Sequence, residues 1–135
     1  MTLAVDASAL VAALTDLGPE GRWARAQTAR DPLVCPEVVL SEAANTLRRL
    51  EQAGGLTQEQ ATRAYHDLLE FDLGLRPYRP FADRIWQLRR NLTSYDAWYV
   101  AVAEALDCPL VTLDVRLSRA PGPQCAFVTP PGEGD

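Results

Sequence analysis

Four acidic residues fall in four different local settings, each where a strand or helix can aim a carboxylate at one point. Asp6 closes the apolar run Leu3-Ala4-Val5, and Asp114 ends the strand-like run Leu110-Val111-Thr112-Leu113. Glu42 lies in an amphipathic helical stretch, Val38 to Leu50, and Asp96 sits in the first turn of a second one, in Thr93-Ser94-Tyr95-Asp96-Ala97. Carboxylates so placed suit a core badly and a hard divalent cation well; Mg²⁺ or Mn²⁺ prefers such all-oxygen sites and keeps several waters. Two bare carboxylates about 4 Å apart repel by ~4 kcal/mol at an effective dielectric of about 20. Four that converge therefore need a cation, and the pattern points to metal-borne phosphodiester chemistry.

Each acid taken singly has an ordinary explanation. Asp6 can cap a helix, Asp96 can complement a helix dipole, and Asp114 can be a turn residue before Val115-Arg116. Glu42 can be a solvated side chain, with Glu37 and Glu51 as equally good acids. The weight lies in their joint placement at strand ends and helix starts, because ligands of open α/β sheets bind outside the carboxyl ends of the strands.

What is missing narrows the chemistry further. All 13 basic residues are arginine and none is lysine. A Walker loop needs its lysine, as does a receiver domain or a haloacid-dehalogenase-type phosphatase. The single histidine, His66, lies inside a helical segment, so a two-histidine RNA cleavage site is not available. There is no Gly-x-Ser-x-Gly elbow for Ser/His/Asp catalysis. Cys35, Cys108 and Cys125 are far apart and lack metal-ligand spacing, so they read as reduced thiols. Trp23, Trp86, Trp98 and the tyrosines fall at helical spacings and read as core or interface residues.

The chain has 135 residues, 47% of them hydrophobic and 23% charged, with a net charge of −5. That is enough chain for one domain with a proper core. An acidic balance argues at first against a nucleic-acid partner, yet arginine is the side chain best suited to phosphate, and bound cations would neutralise the acids where a phosphate approaches. No apolar run is long enough for a membrane span, and the start of the chain lacks the basic region of a signal peptide. A cytoplasmic protein is expected.

The elements that must position these residues alternate between strand and helix, as in a parallel α/β sheet. Strands are expected at Thr2 to Val5, Leu33 to Cys35 (stopped by Pro36), Leu75 to Tyr78, Leu110 to Leu113 and Ala126 to Val128. Helices are expected over Ala7 to Leu14 and Glu20 to Ala29. A third begins near Glu37 with a buried stripe Val39, Ala43, Leu47 and Leu50, ended by Gly54-Gly55. The capping box Thr57-Gln58-Glu59-Gln60 opens a helix to about Phe71, completing a helical hairpin. Pro80 is expected to start a helix to about Arg90, and a largely buried helix follows from Thr93 to Leu106. One domain should span 1–128, with a Pro- and Gly-rich disordered tail over 129–135.

Four segments together carry a family resemblance: Val5-Asp6-Ala7-Ser8; Leu40-Ser41-Glu42-Ala43-Ala44-Asn45-Thr46-Leu47-Arg48-Arg49; Tyr95-Asp96-Ala97-Trp98-Tyr99-Val100-Ala101-Val102-Ala103-Glu104; and Leu110-Val111-Thr112-Leu113-Asp114-Val115-Arg116-Leu117. In order and separation they resemble the PIN-domain nucleases, and within them the VapC-type toxins of bacterial toxin–antitoxin pairs. The resemblance implies a PIN-like three-layer α/β/α sandwich around a five-stranded parallel sheet, with strands one and four adjacent at its centre. It selects Glu42 over Glu37 and implies that Asp6, Glu42, Asp96 and Asp114 are both the metal ligands and the catalytic residues of an endoribonuclease.

Around those acids, Ser8 and Thr112 are within sequence reach to orient the carboxylates, or are ordinary capping and strand hydroxyls. Asn45, one helical turn beyond Glu42, is a candidate support for it, and Arg116 a candidate phosphate contact. The resemblance further implies an RNA substrate, a homodimer, and a small antitoxin whose C-terminal segment covers the acidic groove. Two other readings remain open: a non-catalytic RNA- or antitoxin-binding PIN domain, and a small metal-dependent phosphatase.

Overall fold

A computed structural model of the chain describes residues 1–132, and the expected tail lies partly outside that range, at 133–135. Over 129–132 there is neither helix nor strand. Five parallel strands form one sheet: β1 (Leu3–Val5), β2 (Leu33–Pro36), β3 (Leu73–Arg76), β4 (Leu110–Val111) and β5 (Phe127–Val128), in the order β3-β2-β1-β4-β5. Strands one and four are neighbours, with Ala4 opposite Leu110 and Val5 opposite Val111.

The chain first builds outward from β1 through β2 to β3, then returns past β1 to add β4 and β5. Right-handed crossovers make that reversal a change of face. Helices α1 (Ala7–Thr15), α2 (Pro19–Thr28), α3 (Val39–Gln52) and α4 (Gln58–Glu70) pack on one another in the first half. Helix α6 (Ser94–Ala105), with α5 (Ala82–Gln87) beside it, lies against β1, β2 and β4. The switch of direction falls between β1 and β4, the place where such sheets bind ligands.

The core is the sheet and the helix faces on it. Val5, Leu10, Val39, Leu68, Val100, Val102, Leu110 and Val111 are fully buried. The α3 stripe behaves as its spacing demands: Val39, Ala43 and Leu47 are buried and Leu50 packs against them. Helix α6 has six consecutive or near-consecutive buried residues, from Ala97 to Ala103, because apolar side chains cover nearly its whole circumference. Thr57 and Gln60 form the reciprocal capping box that opens α4. Gly54 ends α3 at φ +82°, a conformation that excludes a β-carbon without strain.

Several boundaries differ from the sequence expectation; β4, expected to reach Leu113, ends at Val111. Strand β2 continues through Pro36, which pairs with Arg76; the next amide, Glu37 N, donates to the Arg76 carbonyl at 2.9 Å. Strand β3 occupies Leu73–Arg76 instead of Leu75 to Tyr78, because Pro77 has no N–H for the ladder and Tyr78 already has helical dihedrals. The segment from Pro80 is a 3₁₀ turn, Arg79–Phe81, followed by a six-residue helix. Past Gln87 the amides of Leu88, Arg89 and Asn91 bond three residues back, which tightens and ends the helix. A one-turn helix, α7 (Val115–Ser118), follows Asp114 and was not expected.

Arg84 ties the far end of α6 to the approach to β5. Its guanidinium donates to Glu104 at 2.7 and 3.1 Å and to the Gly122 carbonyl at 3.0 Å, while the amide of Gln124 donates to Glu104 at 2.7 Å. Burial disfavours the Glu104 charge, but the Arg84 and Gln124 donors outweigh it and hold that carboxyl below its ordinary range.

Helices α1 and α2 are in closest approach where the Asp16 carbonyl meets Gly21. A β-carbon at position 21 would lie 1.7 Å from that oxygen, a backbone atom that cannot swing away. Gly21→Ala should therefore force the helices apart and cost about 3 kcal/mol. Urea unfolding would measure this; a loss within 0.5 kcal/mol, roughly the range of neutral surface changes, would show that the pair reseats freely.

Candidate active site

All four acids lie around the carboxyl-terminal edge of the sheet, at the switch point. Asp6 is the residue after β1 and caps α1, its Oδ1 accepting from the Ala9 amide at 3.1 Å. Asp114 follows β4 and caps α7, accepting from the Leu117 amide at 3.1 Å. Asp96 stands in the first turn of α6, and Glu42 in the first turn of α3. The capping role foreseen as an alternative for Asp6 is real, and Asp114, foreseen as a turn residue, caps a helix as well. Neither cap competes with the site, because a cap fixes where its carboxylate points.

Asp6 is the most constrained of the four. It is 8% exposed, and three donors hold it. Ser8 Oγ donates to Oδ1 at 2.6 Å, beside the Ala9 amide, and Thr112 Oγ1 donates to Oδ2 at 2.5 Å. Each hydroxyl also accepts from the loop after β4. Ser8 Oγ takes the Leu113 amide at 3.1 Å, and Thr112 Oγ1 takes the Asp114 amide at 2.9 Å. The two side chains thus bolt the β4 exit loop to the Asp6 carboxylate, and Asp114 is carried on that loop.

Glu42 meets a residue that the sequence reading placed in the core. The hydroxyl of Tyr99, on α6, donates to Glu42 Oε1 at 2.5 Å. Tyr99 is buried as its helical spacing predicts, so the pattern of apolar positions could not separate it from its neighbours. Its place one turn after Asp96, on the same helix, was the available signal. Asn45 does not bond Glu42 here; it is exposed, and its carboxamide oxygen accepts from Arg48 at 3.4 Å. Arg116 is exposed on α7, at the rim beyond Asp114. His66 is on the exposed side of α4, and Cys35, Cys108 and Cys125 are free.

The acids feel one another. Burial raises the Asp6 carboxyl above its ordinary range; the three hydrogen bonds oppose this, and Asp114 adds to it. Burial likewise raises Glu42, against the Tyr99 hydrogen bond and helped by Asp96 and Asp6. Asp96 is raised by burial and then by the charges of Asp114 and Asp6. Asp6 is thus coupled to each of the other three. The ion pairs found among the described residues are Met1–Asp31 and Arg84–Glu104, so no arginine neutralises this cluster.

An all-oxygen, uncompensated, mutually repelling donor set is chemically suited to a hard divalent cation. Among the described residues no three acidic, histidine or cysteine side chains are already gathered closely enough to form a ready-made metal site. The fold brings the four to one edge and into one another's field, and leaves them apart.

Comparison with known proteins agrees with this architecture. The family model described as PIN domain matches residues 3–123. Ribonuclease VapC9 of Mycobacterium tuberculosis is 42% identical over 129 residues, covering 96% of this chain and 98% of that protein. A crystal structure of a protein from Pyrobaculum aerophilum superposes with a TM-score of 0.71 at 26% identity, covering 94% of this chain and 83% of the other. A toxin–antitoxin complex from Klebsiella pneumoniae shares the fold, with a TM-score of 0.66 at 19% identity and 95% and 97% coverage.

The raised carboxyls give a signed prediction for the cation-free protein. A carboxyl raised in the folded state favours folding at low pH, and that contribution is lost as pH rises through its folded value. Removing one such charge should then help at neutral pH. Asp96→Asn in EDTA should melt about 3 °C above the wild type at pH 7, the shift that ~1 kcal/mol gives a domain of this size after discounting for partial exposure. The gap should narrow as pH falls through the raised folded value of Asp96 and close below its unfolded value of about 4, where the wild-type acid is protonated in both states. Paired thermal melts across that window test it; an Asp96→Asn protein that is less stable at pH 7 would contradict the repulsion.

Proposed function

The chain belongs to the PIN-domain family, and on that premise we propose that it is a metal-dependent endoribonuclease acting as the toxin of a toxin–antitoxin pair. The observation that carries the proposal is the set of four unpaired carboxylates at the sheet's switch point, with Asp6 in the field of the other three. The relatives' names support RNA as the substrate, and the four acids are the residues the family resemblance selects.

In this reading Asp6, Glu42, Asp96 and Asp114 hold Mg²⁺ or Mn²⁺. Bound there, such a cation lowers the pKa of a water and offsets charge on the phosphate and the leaving oxygen during in-line attack. The chain's own residues supply position. Ser8 and Thr112 keep the Asp6 oxygens and the Asp114 loop in fixed relation, the usual service of groups behind metal ligands. Burial of Asp6 and the crowding of like charge disfavour the charged carboxylates in the cation-free protein, so a bound cation would relieve both. Arg116, exposed on α7, is the candidate contact for a backbone phosphate. The family resemblance implies products with 5′-phosphate and 3′-hydroxyl ends, the 3′ oxygen leaving as water attacks, without a 2′,3′-cyclic intermediate.

An antitoxin has a fitting surface. A groove of about 440 Å³ runs from Ser8 between α1 and the α3–α4 turn, lined by Val11, Ala12, Leu50, Leu56 and Leu113. An apolar segment seated there could deliver an arginine into the acidic cleft, blocking it by charge-assisted hydrogen bonds. Among the described residues no helix is long and apolar enough to cross a membrane. A cytoplasmic homodimer is the assembly proposed.

Purified protein should cleave RNA with Mn²⁺ or Mg²⁺, and EDTA should abolish cleavage. Asp6→Ala and Asp96→Ala, checked as folded by circular dichroism, should each lose at least about 100-fold in rate. Sequencing the ends should find 5′-phosphates. Cleavage that survives EDTA or both substitutions would refute the metal mechanism, and hydrolysis of phosphomonoesters without RNA cleavage would assign a phosphatase instead.

A further inference from the structure

Asp6 and Glu42 are held in unequal ways. Asp6 has three donors on its two oxygens, whereas the Glu42 side chain, among the described residues, accepts from Tyr99 alone. Glutamate is also the longer side chain, with one more rotor to fix. Its orientation therefore depends on a single hydrogen bond that spans 57 positions in sequence.

Tyr99 is suited to more than packing. It is 2% exposed, and a phenol that deep needs a partner for its hydroxyl. A carboxylate only accepts, so the phenol must donate, and the 2.5 Å separation is that of a charge-assisted O–H···O⁻ bond. A phenylalanine would fill the same space. The hydroxyl contributes one thing that packing does not: it occupies Glu42 Oε1. Tyr99 also lies one turn after Asp96 on α6, so a single buried helix carries one acid and the hydroxyl that locates another.

We propose that Tyr99 is a positioning residue for divalent-cation binding: its hydroxyl pins Glu42 Oε1 and so presents Oε2 towards Asp6 and Asp96. The proposal rests on the metal-dependent reading given above and adds a residue to it. Tyr99 does not touch the cation or the RNA; it acts through Glu42.

Calorimetric titration of Mn²⁺ into RNA-free protein tests this without relying on turnover. Tyr99→Phe should bind Mn²⁺ about tenfold more weakly than the wild type, as loss of a group behind a metal ligand does. Its cleavage deficit should shrink as Mn²⁺ is raised. In the Glu42→Ala background, adding Tyr99→Phe should change Mn²⁺ affinity no further, because the residue through which it acts is gone.

Tyr99→Phe that binds Mn²⁺ as tightly as the wild type would overturn the proposal and leave Tyr99 a core residue. Equal, additive losses in the two backgrounds would overturn it as well, marking a general loosening of the fold. A wild-type protein that binds no Mn²⁺ would instead remove the metal reading itself.

Discussion

The structure depends on one junction, the side-by-side placement of β1 and β4 at the point where the sheet reverses direction. Backbone pairing brings Asp6 opposite Thr112, and the Ser8 and Thr112 hydroxyls convert that adjacency into a fixed connection. Each hydroxyl gives its proton to Asp6 and takes an amide proton from the loop after β4: Ser8 from Leu113 across the junction, Thr112 from Asp114 within its own loop. A buried carboxylate would otherwise be a severe local cost. Here it is the acceptor around which two chain segments are aligned. Thr112, itself fully buried, satisfies both its roles within this junction.

Stability and chemistry pull against each other at the same place. Hydrogen bonds to Asp6 favour its charged form, while burial and the neighbouring acids oppose it. Elsewhere in the protein the opposition is resolved by pairing, as Arg84 does for Glu104. No such partner reaches the four acids. A fold selected only for stability would place arginine or asparagine there, and 13 arginines were available. Unpaired acids at the sheet's switch point are better understood as a site that waits for charge from outside.

Much of this was legible in the residues because it is local. The β1 and β4 runs end in aspartates, the α3 stripe has clean helical spacing, and Thr57 to Gln60 is a capping box by its side chains alone. Adjacency of β1 and β4 came from family resemblance, since nothing in either segment encodes its neighbour. The β3 boundary slipped because Leu75 looks strand-like while pairing with β2 is decided from the other strand. Tyr99 was hidden because burial and function demand the same position on α6. Asn45 shows the reverse: helical spacing put it near Glu42, yet three residues on, Arg48 is the partner it meets.

Helix α6 is fastened at both ends. Its first turn carries Asp96 and, one turn on, Tyr99 on Glu42; its last turn is gripped by Arg84 and the Gln124 amide. Its sides are packed on three strands and α5. A rod clamped in this manner has little freedom to tilt or slide. At the cleft it is also joined to α3, through the Tyr99 hydroxyl on Glu42. The spacing between the helices that carry Glu42 and Asp96 is thus set at the cleft by one phenol–carboxylate bond.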